Sequence, residues 1–93
     1  MSFALLIHGV QFPDGPWECP ETGHYVQAFN PEEHSGRGSF LTTLAIERAA
    51  HFPTAVDAFA FWRTQSKVKP YRDDGEPNRP LTAFTVEVVR VPA

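Results

Sequence analysis

The sequence predicts one small α+β domain: an about four-stranded, mainly antiparallel sheet with one short and one longer helix packed on one face. Three observations lead there. Residues 3–10 and 81–91, towards the two ends of the chain, carry apolar side chains at the two-residue period of strands. Residues 54–65 carry them at the helical period instead. A chain of 93 residues with 42% hydrophobic and 20% charged side chains has globular composition and room for one core, hence a single domain over 1–93.

Each element has its own reason. In 3–10, Phe3, Leu5 and Ile7 share one face while Ala4, Leu6 and Val10 share the other. A strand apolar on both faces is normally central, and His8 interrupts the second face. Residues 11–23 contain Pro13, Gly15, Pro16, Pro20 and Gly23, so they form a loop: proline has no N–H for a ladder. Residues 24–29 resume as a strand with Tyr25, Gln27 and Phe29 on one side, ended by Asn30-Pro31. The stretch 32–38, with Gly36 and Gly38, reads as a mobile turn, and 39–42 as a third strand.

Thr43 is placed to cap a short helix over 44–51, with Ile46, Ala49 and Ala50 inward and Phe52-Pro53 as the stop. The longer helix opens at Thr54-Ala55-Val56-Asp57, where a hydroxyl cap and an acid in the first turn both complement the unpaired N–H groups. Ala55, Ala58, Phe59 and Trp62 are its expected inward stripe, flanked by Val56 and Phe61. Pro70, Gly75, Pro77 and Pro80 make 67–80 a second loop, with a turn at Asp74-Gly75. Asn78 and Arg79 are placed to fasten that loop to the helix end through backbone carbonyls. In 81–91, Phe84, Val86 and Val88 face inward, Thr85 and Glu87 outward. Val89 and Val91 break the alternation, which implies a bulge or cover on both faces. Strands 3–10 and 81–91 are expected as central neighbours with the longer helix across one face.

Composition narrows the function classes. One cysteine, Cys19, excludes an intramolecular disulfide and favours a reducing, cytoplasmic setting. The first ten residues lack a basic n-region and an h-region, so no secretory signal is expected. No stretch approaches the ~18 apolar residues of a membrane helix, and no membrane partner is expected. The net charge is −3, divided unevenly: −5 over 1–36, +4 over 37–72 and −2 over 73–93. Such asymmetry suits an oppositely charged partner or a homodimer.

The candidate binding residues follow from charge and aromaticity. Arg63, Lys67, Lys69, Arg72 and Arg79 gather with Tyr71 in seventeen positions, next to Trp62. Cations meet phosphates and aromatic faces stack on unpaired bases, so nucleic acid is one expectation for this stretch. Asp73, Asp74 and Glu76 in the same loop oppose it, and Trp62 also suits a core role. Trp17, held between Pro16 and Glu18, has two fates: a lid on the core, or an amphipathic anchor for a protein partner.

No metal or catalytic site is expected. Cys19, His24, His34 and His51 lack the close pairing of zinc ligands. Glu18 and Glu21 flank the only thiol and would hold it protonated, opposing a thiolate nucleophile. Asp73-Asp74 and Gly36-Arg37-Gly38 are ordinary turn chemistry without the strand–loop–helix context of a phosphate or Mg²⁺ motif. No cofactor is implied.

Thr43, Ile46, Ala49 and Phe52, followed by Ala58 and Phe61, resemble a pattern in small phage and prophage proteins. There a strand leads to a short helix ending in Phe and a second helix carrying Ala and Phe. Phe61-Trp62-Arg63-x-Gln65-Ser66-Lys67, with Asp74-Gly75-x-Pro77-Asn78-Arg79-Pro80-Leu81-Thr82, is similar to a narrower prophage-associated group of uncharacterised proteins. The similarity covers roughly residues 24–91. It implies a mobile-element origin and a small accessory or protein-interaction role, without any catalytic residue.

Overall fold

A computed structural model describes residues 2–10 and 20–92 of the chain. The strands are β1 (Ser2–Val10), β2 (Tyr25–Asn30), β3 (Ser39–Thr43) and β4 (Phe84–Val91). They form one antiparallel sheet in the order β3-β2-β1-β4. Two helices accompany it, the short turn α1 (Glu33–Gly36) and the longer α2 (Ala55–Trp62). The α+β class is as the sequence predicts.

β1 is internal because both its faces are apolar. Leu5 and Ile7 are buried on the face towards α2, and Ala4 is buried on the other. β1 and β4 pair from Ser2 opposite Val91 to Val10 opposite Phe84. They are neighbours as expected, but β4 is an edge strand and not a central one. The register skips a residue between Ile7 and Gly9, so the polar interruption His8 is the bulge. Its ring lies 3.0 Å from a Glu87 carboxylate oxygen. Val86 and Val88 pack on the core with buried Phe84, while Val89 and Val91 are half-buried.

Residues 44–51 depart from the predicted helix. Only one 3₁₀ turn forms, Ile46–Arg48, with Thr43 Oγ1 accepting from Ala45 N at 3.1 Å. Ala49 then turns extended at φ −66°, ψ 159°, and Ala50 N donates to Val26 O at 3.0 Å. Phe52 exchanges two backbone bonds of 2.8 Å with Phe3. The segment therefore completes the pairing of β1 and β2 where those strands diverge, and this tertiary pairing outweighs a weak local helix signal. The divergence bends the β2–β3 hairpin over the core. Phe40, on one outer strand, meets Phe84, on the other, edge to face at 4.6 Å.

α2 is shorter than 54–65 but starts where expected, with Thr54 Oγ1 accepting from Asp57 N at 3.1 Å. Ala58 is fully buried, and Phe61 and Trp62 pack on the core. Phe59 does not belong to the inward stripe: it is 48% exposed, because α2 crosses the sheet on its Ala58–Phe61–Trp62 side. Val56, at 76% exposed, also faces out.

Candidate functional site: an arginine-lined groove

Two loops build the site by gripping each other. The β2–β3 connection passes through a left-handed turn, with φ of 53° at His34, 58° at Ser35 and 88° at Gly36. Non-glycine residues avoid this region at a cost of ~1–2 kcal/mol each, so the turn needs outside support. That support comes from the loop after α2. The Glu32 carboxylate accepts from Lys67 N at 2.8 and 3.0 Å, from Val68 N at 3.2 Å and from Ser66 Oγ at 3.0 Å. The N–H of Lys67 in particular favours the ionised form and holds this carboxyl below the ordinary 4.5, against partial desolvation. The Ser66 hydroxyl, the Val68 N–H and the Lys67 charge act in the same direction.

Asn78 closes the clasp. Its side-chain amide donates to Gly36 O at 2.6 Å and to Lys69 O at 2.8 Å, and its backbone carbonyl accepts from Ser66 N at 2.9 Å. The expected fastening through carbonyls is made by buried Asn78 and not by Arg79, and it reaches Gly36 and Lys69 instead of the end of α2. Gly36 fits only as glycine. A Cβ there would sit 2.6 Å from Lys69 Cβ, and the positive φ excludes most side chains besides. The stretch 32–38 that read as a mobile turn is a tied one.

The clasp holds residues 76–80 against the end of α2 and leaves a groove of about 590 Å³ between them. That volume lies within the ~300–1,000 Å³ range of ligand clefts. Arg63, Arg72 and Arg79 line it together with Trp62, and Glu76 and Thr82 complete the polar wall. Trp62 is fixed by its indole N–H, which donates to Phe84 O at 3.2 Å. Arg72 faces Asp74 at 3.4 Å. Arg63 and Arg79 have no ion-pair partner among the described residues.

The structure therefore divides the basic stretch. Arg63, Arg72 and Arg79 converge on the groove; Lys67, Lys69 and Tyr71 do not line it. Lys69 pairs with Asp73 at 3.4 Å, the backbone N–H of Lys67 serves Glu32, and Tyr71 is a surface ring whose backbone bridges to Pro77. Trp17 and Cys19 lie outside the described residues. Among those described, no three His, Cys, Asp or Glu side chains are grouped to hold a metal ion. No described helix is long and apolar enough to cross a membrane. Sequence reasoning placed Trp62 as an anchor of its helix but missed Glu32, the acid that fixes the loop. Its signal was faint: a carboxylate just after Asn30-Pro31, where a turn brings side chains back towards another segment.

The groove combines two guanidinium forks, unpaired among the described residues, with one aromatic wall. Such forks match the planar oxygens of carboxylates or the oxygens of phosphates bidentately. No protein family, curated protein or solved structure was found to match the chain.

Proposed function

We propose that this protein is a non-catalytic binding module, of phage or prophage accessory type, that captures an acidic segment of a protein partner in the arginine-lined groove. The observation that carries the reading is the pair Arg63 and Arg79 beside Trp62, both cations without an ion-pair partner among the described residues. Among the described residues lining the groove, the Thr82 hydroxyl donates to Arg79 O at 2.6 Å.

A second reading, single-stranded nucleic acid, is supported by the same Trp62 and arginines. Stacking on the indole and contacts from three guanidinium groups would suit a base and its flanking phosphates. Glu76 on the wall and Asp74 on Arg72 favour the peptide, because a continuous run of phosphates must pass close to both acids.

Fluorescence anisotropy with a labelled acidic peptide and a labelled oligothymidylate separates the readings. The expected result is peptide binding that weakens ~10–100-fold in the double variant Arg63→Glu, Arg79→Glu, as loss of charge-assisted bonds implies. Tight oligothymidylate binding whose salt slope falls by about 0.7 for each arginine replaced supports the second reading instead. Equal binding of the peptide by parent and variant refutes the groove as the site.

A further inference from the structure

We infer that the partner segment docks as an added β-strand along β4, with its acidic end in the groove. This deepens the proposed function and rests on the groove taking an acidic peptide. β4 has β1 on one side and, among the described residues, no strand on the other. At eight residues it is the longer of the two edges, against five for β3. Exposed edges are usually blunted by proline, lysine or a bulge. β4 contains neither residue, and the register shift against β1 falls on the β1 side, at His8. Among the described residues Phe84 O is taken by the Trp62 indole, while the backbone groups of 85–91 bond only within the pairing with β1.

Five of its eight residues are Thr85, Val86, Val88, Val89 and Val91. Such β-branched side chains offer an added strand something to pack on along both faces of the sheet. The groove adjoins the start of this strand: Thr82 and Ala83 line it, Phe84 begins the strand, and the indole of Trp62 is bonded to Phe84 O at that junction. A peptide pairing with β4 therefore delivers the end that lies beside Phe84 towards Arg63 and Arg79. Main-chain bonds supply affinity there, and the guanidinium groups select an acidic end and fix the register.

The test uses an array of ten-residue peptides in which a β-branched tract ends in two glutamates at either terminus. The tightest binder is resynthesised with N-methyl groups on alternate residues, in two complementary sets, and titrated against the full chain by anisotropy. An added strand points alternate N–H groups at its neighbour, so one set should weaken binding at least about tenfold and the other should leave it intact. Equal tolerance of both sets, with binding still lost in Arg63→Glu, Arg79→Glu, overturns strand addition and leaves the groove reading standing. Absence of any binder overturns both. Sedimentation of the free chain closes the remaining route: a monomer is expected, and a dimer broken by Val88→Pro would assign the edge to a second copy instead.

Discussion

Glu32 shows how one side chain holds a functional surface in place. Its carboxylate is bound through the backbone N–H of Lys67 first, then Ser66 and Val68, so folding favours the ionised form. A carboxyl held below its unfolded value contributes stability that is full above about 4.5 and lost as the pH falls through its lower folded value. Glu32→Gln should melt lower than the parent at neutral pH, because an amide presents donors to donors. The gap should narrow as the solution is acidified below pH 4.5, read by thermal melts across a pH series. A gap independent of pH would mean the charge is not what holds the loop. Asn78→Ala strips donors from Gly36 O and Lys69 O in a buried site and should cost about 2–3 kcal/mol. Gly36→Ala should cost about 1–3 kcal/mol for its left-handed backbone alone, before the contact with Lys69 Cβ is relieved. In a chain of 93 residues each kilocalorie moves the melting temperature by about 4–8 °C, so both are measurable.

At the scale of elements, α2 tests which of its aromatic residues are structural. Phe61 packs against Phe29 at 6.0 Å and Phe52 at 4.9 Å, whereas Phe59 is 48% exposed and touches Trp62 at the helix surface. Fully buried phenylalanines cost ~3–5 kcal/mol on truncation. Half-buried Phe61→Ala should therefore cost about 2–3 kcal/mol and Phe59→Ala about 1 kcal/mol or less in urea unfolding. The reverse order would mean that α2 is rotated about its axis. The spacing of Ala55, Ala58, Phe59 and Trp62 was legible as an apolar stripe. Which side of so wide a stripe meets the sheet was not, since Phe59 and Phe61 are equally apolar and the crossing angle decides. The strands at both ends were legible because their alternation is local, but the last one begins at Phe84 and not at Leu81, since residues 80–83 close into a 3₁₀ turn behind Pro80. The segment 44–51 was not, because its conformation depends on Val26 and Phe3, far away in sequence. The candidate site divides similarly. Clustered arginines are visible in a linear reading, but their convergence on Trp62 depends on a clasp between residues 32–36 and 66–78.

For the whole molecule, the decisive contact joins the two ends of the chain. Ser2 lies opposite Val91, and β1 is flanked by β4 along nearly its entire length but by β2 only near Tyr25. Buried Phe84 and the packed Val86 and Val88 also belong to that last strand. The core therefore cannot close until the C-terminal residues are available, and the pairing spans most of the sequence. Closing so long a loop costs entropy before any contact offsets it, which places folding on the slow side of small domains, in milliseconds to seconds. A chain ending at Ala83 should then be unfolded, showing coil-like circular dichroism and collapsed amide dispersion. It loses the main neighbour of β1 together with the ring that Phe40 packs against. The full chain should refold in a single phase within that time range. If residues 1–83 alone give a dispersed spectrum, β1 is held by β2, Phe52 and α2, and the domain is organised around the bent hairpin instead of the pairing of its ends.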